Sequence, residues 1–208
     1  MKKVFKIIGI LLILAALGLA YYNYLENFRA GADADDIYAK LHEQITMHTE
    51  AGKETELPQT ENGAGTENTE TDVLEEPATI TLGEYEYMGE IEIPALSLKL
   101  PVISDWSYPK LKVAPCRYYG SIEGNDLILA AHNYDSHFGK LKNLELGEEI
   151  NIVDITGQKY SYQISSIEIL EDTQLSDLVK EGSWDMTLFT CTKGGKMRVV
   201  VRCRMKRS

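Results

Sequence analysis

Three side chains in the C-terminal part of the chain have types and spacing that could break and remake an acyl bond: His132, Cys191 and Arg198. A thiolate attacks acyl carbons well, provided something lowers its pKa or takes its proton. The usual partner is a histidine brought near in space rather than in sequence. Cys191 ends the apolar run Thr187-Leu188-Phe189-Thr190, and His132 ends Leu127-Ile128-Leu129-Ala130-Ala131. Two strand ends emptying onto one rim would let the pair meet. Arg198 follows Cys191 across Lys193-Gly194-Gly195, a hairpin signal that would set a guanidinium beside the thiol, ready to hydrogen-bond an oxyanion. Taken singly, each has an ordinary reading. A strand cysteine is most often a small buried hydrophobe. A histidine after a strand is commonly a loop residue, and an arginine near Arg202, Arg204, Lys206 and Arg207 commonly belongs to a solvated face.

The elements that must position these residues are short and β-like. Tyr87–Ile93 and Leu96–Ile103 lie around Pro94 and alternate or cluster apolar residues. Asp126–Ala131 is a continuous apolar run suited to a strand buried on both faces. Glu149–Ile155 and Lys159–Ile169 flank the turn Thr156-Gly157-Gln158, and Met186–Thr190 and Met197–Val201 flank the glycine pair. Helical candidates are brief, at 107–112, 138–144 and 175–181. Many short strands at this spacing predict a mostly β domain closed, or nearly closed, into a barrel.

The first part of the chain is different. Lys2, Lys3 and Lys6 lead into an uninterrupted apolar run from Ile7 to Tyr22. With Val4 and Phe5, this is about long enough for a helix to cross a hydrocarbon core of roughly 30 Å. The lysines favour a cytoplasmic N-terminus, and Tyr21, Tyr22 and Tyr24 suit the far interface. A cleaved signal peptide ending near Gly18-Leu19-Ala20 is the competing reading; both export everything downstream. Ile37, Leu41 and Ile45 recur on one face of a helix predicted over 33–48. Residues 49–79, rich in Glu, Thr, Gly and Asn, cannot bury enough surface to offset their ordering entropy and read as a flexible spacer. The expected organisation is an anchor over 1–28, an acidic spacer over 29–82 (partly helical, then disordered), and a catalytic domain over 83–208.

Charge and cysteine usage exclude several function classes. The net charge of −11 is concentrated in residues 29–82, where three cations stand against thirteen acids. No basic stripe is interleaved with aromatics, so no nucleic-acid partner is expected. Cys116, Cys191 and Cys203 are too few and scattered for a disulfide framework, and no histidine stands at metal-ligand spacing from them. No metal or other cofactor is expected. Cys116 and Cys203 read as separate buried thiols rather than a bonded pair, and an odd cysteine outside the cell calls for a use. The absence of CxxC argues against a thiol redox protein.

Together these residues resemble the sortase family of cysteine transpeptidases. Thr187-Leu188-Phe189-Thr190-Cys191 fits the TLxTC signature around the family's nucleophile. Arg198 falls where the family places its arginine on the following strand. His132, within Ala130-Ala131-His132-Asn133, matches the family's histidine, and Leu111–Ser121 looks like the segment leading into its strand. The likeness covers roughly residues 85–204. It implies a closed eight-stranded barrel and a cell-surface reaction of a Gram-positive bacterium. The Cys191 thiolate would attack the Thr–Gly type bond of an LPxTG-like sorting signal on a surface protein or pilin. His132 would protonate the leaving amine, and Arg198 would steady the oxyanion, helped by donors near Thr190. An amine of a peptidoglycan precursor or a pilin lysine would resolve the thioester.

Some positions stay open. His137 is a rival to His132, and Asp135 could orient the imidazole. The segment 172–185, with Leu175, Leu178 and Trp184 as apolar contacts, would set the motif preference. The spacer lacks the Asp-Pro-aromatic lid of pilin-polymerising sortases, and one short helix before Cys191 is unlike the haem-acquisition type, which leaves a class A- or D-like enzyme or an unclassified relative. The reading from another class is a membrane-tethered β-barrel binding module without chemistry, which leaves the Cys/His/Arg set as coincidence.

Overall fold

The computed structural model of the chain describes residues 2–54, 78–171, 178–179, 184–192 and 194–206. A single helix, α1 (Lys2–Glu54), precedes nine strands: β1 (Ile80–Leu82), β2 (Tyr85–Ile93), β3 (Leu98–Ile103), β4 (Cys116–Tyr119), β5 (Leu127–Ala130), β6 (Glu149–Asp154), β7 (Lys159–Glu171), β8 (Met186–Cys191) and β9 (Met197–Met205). A one-turn helix, α2 (Tyr108–Leu111), lies between β3 and β4, and a 3-10 turn (Phe138–Asn143) follows β5.

Eight strands close on themselves in the order β2-β3-β4-β5-β8-β9-β7-β6, with β6 pairing back to β2. The short β1 extends the same edge of β2 beyond β6, pairing with Tyr85–Tyr87 while β6 pairs with Gly89–Glu92. A bulge between Tyr87 and Gly89 turns β2 from one partner to the other. Gly89 is obligatory there: its φ is +148°, and a Cβ would lie 2.1 Å from the Val153 carbonyl oxygen. The barrel interior is filled by Ile91, Leu127, Leu129, Ile150, Ile152, Leu188 and Val201 among others, all buried.

The strands expected at 87–93, 96–103, 126–131, 149–155, 159–169, 186–190 and 197–201 are present. β1 and β4 are additions, each too short to carry a readable period. Of the expected helices, 107–112 forms α2 and 138–144 forms the 3-10 turn, whereas most of 175–181 lies outside the described residues.

The helix expected over 33–48 is one stretch of a continuous α1. Residues from Val4 to Tyr22 are almost entirely exposed and include a window apolar enough to cross a membrane. Beyond them the helix lies on the barrel wall, so this part of the expected spacer is packed structure; residues 55–77 of the spacer are outside the described residues, and its last residues carry β1. Ala34, Leu41 and Ile45 are buried, the last two against Tyr87, Ile103, Ala114 and Cys116. That contact covers the thinnest seam of the barrel, where β3 and β4 share only the Ile103–Cys116 bridge. Burying Leu41 and Ile45 stabilises the docked helix by roughly 1.5–3 kcal/mol each. Below the same helix, His42 Nδ1 lies 3.0 Å from the buried Glu90 carboxylate of β2, and Tyr38 stacks on the His42 ring. Burial pushes the Glu90 carboxyl above its usual range, and the His42 hydrogen bond pulls part of that back.

Candidate active site

The chemistry-bearing residues come together through strand register. β5 and β8 run parallel with Ile128 opposite Thr187 and Ala130 opposite Phe189. β8 and β9 run antiparallel with Thr187 opposite Arg202, Phe189 opposite Val200 and Cys191 opposite Arg198. Side chains alternate between faces with a period of two, so Thr187, Phe189 and Cys191 share the outer face of β8. Directly opposed residues have Cβ atoms about 4.5–5.5 Å apart, which sets the Arg198 side chain beside that of Cys191.

His132 extends the same register past the last pair of β5. The Ala131 amide donates to the Phe189 carbonyl at 3.3 Å. The Thr190 hydroxyl donates to the Ala131 carbonyl at 2.8 Å, and the Asn133 side-chain amide donates to the Thr192 carbonyl at 3.3 Å. The ladder therefore continues by side-chain bonds where the backbone pairing stops, and one more pair of the same register would bring His132 level with Cys191. Two rows of paired residues lie on this outer surface, Ile128–Thr187–Arg202 and Ala130–Phe189–Val200, and the Cys191–Arg198 pair follows them, with His132 two residues beyond Ala130.

On this face Ile128, Ala130, Phe189 and Val200 form a buried apolar cluster with Leu178 from the β7–β8 connection. At the far end is a cavity of about 430 Å³ lined by Tyr119, Asp126, Ile128, Leu178, Trp184 and Thr187. Arg202, buried although cationic, holds this end together. Its Nη1 donates to the Leu178 carbonyl and to the Thr187 hydroxyl, both at 3.1 Å, and its guanidinium lies 4.2 Å from the Trp184 ring centre. Sequence reasoning read Arg202 as part of a solvated face; nothing local distinguishes it from Arg204, and only its pairing with Thr187 turns it inward.

Cys191 is partly exposed, whereas Cys116 and Cys203 are buried and unbonded, with burial pushing each thiol up to about 12. One thiol of three is thus presented to solvent. His132 is half-buried. Burial first, and the Lys112 charge second, hold its imidazole below the usual value, while Glu26 acts in the opposite sense. Its Nδ1 is buried with no hydrogen-bond partner among the described residues, so no carboxylate orients it through that atom. Asp135 does not take that part: it is exposed, and its amide is bonded to Asn27. Instead the Tyr134 ring stacks on the imidazole, centroids 4.0 Å apart. His137 is fully buried, and desolvation drives its imidazole down to about 4, with the Ala30 and Leu111 backbone opposing weakly. It has no route to an acyl substrate.

Arg198 is partly exposed, and its Nη1 donates to the carbonyls of Gly195 at 3.0 Å and Met197 at 3.3 Å. Thr190 differs from expectation: its side chain is buried and its hydroxyl is committed to Ala131, so it joins strands rather than facing a substrate. Leu178 and Trp184 line that cavity, and Leu175 lies outside the described residues. No cluster of metal-ligating side chains occurs among the described residues.

A family model, the sortase domain, matches residues 91–206. Sortase A of Bacillus anthracis is 26% identical over 135 residues, covering 62% of this chain and 64% of that protein's length. A crystal structure of sortase C1 from Streptococcus suis superposes with a TM-score of 0.52 at 26% identity, over 60% of this chain and 75% of the other. A lid mutant of sortase A from Corynebacterium diphtheriae shares the fold at 19% identity, with a TM-score of 0.53 over 61% of this chain and 73% of the other. Sortases named A, C and D all occur among these neighbours, so likeness of fold does not separate the subclasses.

Proposed function

The chain belongs to the sortase family, and from that premise we propose that it is a membrane-anchored cysteine transpeptidase that cleaves an extended sorting signal on a surface protein or pilin and passes the acyl group to an amine. The observation that supports this reading is the pairing of a partly exposed Cys191 with Arg198, on a strand that runs beside the one leading into His132 and next to an apolar cluster that would floor a substrate groove. Thr187 to Cys191 spans four residue steps of strand, about 13 Å, which is the length of about four extended residues. An LPxTG-like peptide laid along the groove would bring its scissile carbonyl to Cys191 with its apolar leading residues over Phe189 and Leu178.

The chemistry then follows from the three side chains. His132, neutral in the resting enzyme because burial disfavours its charged form, accepts the Cys191 proton as Sγ attacks the carbonyl carbon. The oxyanion that forms is met by the Arg198 guanidinium, whose position opposite Cys191 is set by the ladder. Collapse breaks the C–N bond, and the imidazolium returns its proton to the departing amine. An incoming amine, from a peptidoglycan precursor or a pilin lysine, loses a proton to His132, attacks the thioester and releases Cys191. With Nδ1 enclosed, Nε2 is the nitrogen that moves these protons. The Val4–Tyr22 stretch would hold the enzyme at the membrane with residues after it outside the cell.

The test uses the full chain in detergent micelles and a quenched sorting-signal peptide. Cys191→Ala, His132→Ala and Arg198→Ala should each lower kcat/KM by about 10³-fold or more, with no further large loss on combining them, as for groups acting as one unit. Full cleavage by Cys191→Ala would refute the assignment.

A further inference from the structure

α1 does more than tether. One helical turn past the membrane-type segment, Glu26 and Asn27 reach the loop that carries His132. The Tyr134 hydroxyl donates to Glu26 Oε1 at 2.9 Å, and Lys112 Nζ donates to the same oxygen at 3.2 Å. The Asp135 amide donates to Asn27 Oδ1 at 3.0 Å, and the Ser136 hydroxyl lies within bonding distance of the Asn27 carbonyl at 3.3 Å. Gly31 permits this approach, since a Cβ there would stand 3.0 Å from Ser136 Cβ. The next buried contact of the helix is Ala30, whose backbone lies against the enclosed His137.

These bonds matter because His132 lacks the usual means of orientation. Its Nδ1 has no hydrogen-bond partner among the described residues, and the Tyr134 ring stacks on the imidazole plane. Tyr134 is in turn held by its hydroxyl on Glu26 and by an edge contact with the His137 ring, centroids 5.5 Å apart. The charged groups acting on the imidazole are Lys112 from the segment after α2 and Glu26 from α1; Tyr134 and His137 of its own loop lie against it, and Cys191 at the end of β8 is the titratable group the assigned chemistry sets before it.

We propose that Glu26 is a positioning residue for His132, acting through the Tyr134 ring, and that the membrane-proximal turn of the anchor helix is thereby a working part of the transpeptidase site. The proposal rests on the assignment of His132 as the acid/base residue. Glu26 contributes in two separable ways. As an acceptor it fixes the Tyr134 ring, and with it the imidazole plane, and small losses of alignment in a proton-transfer group are expensive in rate. As a charge it offsets Lys112 and helps the imidazole keep its proton long enough to deliver it.

The experiment compares the full chain in detergent micelles with Glu26→Ala, Glu26→Gln, Tyr134→Phe and the Glu26→Ala/Tyr134→Phe pair. Cleavage of the quenched peptide and the His132 titration are both read, the latter by NMR of 13C-labelled histidine assigned with His132→Gln. Glu26→Ala and Tyr134→Phe should each lower kcat about tenfold with KM within about twofold, and the pair should lose no more than the worse single variant. Glu26→Gln, which keeps an acceptor for Tyr134 but not the charge, should retain more activity than Glu26→Ala while showing the same downward shift of the His132 pKa. Additive losses in the pair, or Glu26→Ala with the wild-type kcat and His132 titration, would overturn the proposal. If the unaltered chain fails to cleave any sorting peptide, the function assigned above fails. The His132 titration still decides whether Glu26 and Tyr134 act on the imidazole.

Discussion

Leu41→Ala tests whether the lower half of α1 is part of the folded domain. Leu41 is completely buried against Tyr87, Ile103, Ala114 and Cys116, over the single bridge between β3 and β4. Truncating a buried leucine typically costs about 2–5 kcal/mol, the spread reflecting how far the surroundings collapse into the space left. The backbone of β3 and β4 is held by few bonds at this point and can relax, so the expected loss is in the lower half, about 2–3 kcal/mol. If instead α1 were a free stalk, the same change would be neutral or slightly stabilising, because alanine is the better helix former. The two arrangements therefore differ in sign. Urea unfolding of the full chain in micelles, followed by tryptophan fluorescence, reads the barrel alone, since both tryptophans, Trp106 and Trp184, lie outside α1. The midpoint should fall by about 0.7–3 M for a slope of about 1–3 kcal/mol per M. Leu11→Ala, in the exposed apolar segment, is the control and should leave the midpoint unchanged. A Leu41→Ala midpoint within error of wild type would refute the docked helix, and with it the strut proposed for Glu26.

A small thiosulfonate should label one cysteine in the native chain and three in urea, read by intact mass, because burial encloses Cys116 and Cys203 and leaves only Cys191 open. His137 is buried neutral with its value lowered to about 4, so the folded state refuses a proton that the unfolded state accepts. The stability it contributes is complete above about pH 6.5 and falls by up to roughly 3 kcal/mol as pH drops toward 4. His137→Phe should flatten that acid limb in melts taken between pH 7 and 4.5. Glu90 works in the opposite direction: its raised carboxyl favours folding below the usual carboxylate range and loses that advantage as pH rises through its higher value, so Glu90→Gln should remove a decline in Tm on that side. Arg202→Lys breaks the fork that holds Leu178 and Thr187, and should raise KM for the sorting peptide several-fold with kcat nearly unchanged.

Much of this protein is written locally. Continuous apolar stretches such as Leu127–Ala131 and Met186–Thr190 are strands buried on both faces because one face meets the barrel interior and the other a second apolar cluster outside it. The apolar run from Val4 to Tyr22 states its own solvent preference, and the partners His132, Cys191 and Arg198 were each marked by a strand end. Relative placement was not local. Bringing the end of β5 beside the end of β8 depends on a parallel register between those strands, set by pairings nearly sixty residues apart. Ile37, Leu41 and Ile45 reveal that one side of a helix is buried but not against what, so α1 read as part of a spacer until the β3–β4 seam beneath it was visible. Arg202 and Glu26 carry no sequence signal at all: each is a lone charge whose role comes from what the fold sets opposite it. Residue types and their periodicity thus determined the chemistry available and the membrane-type segment. Only the tertiary structure decided which side chains share a surface, because that depends on long-range register and on the partner each buried face finds.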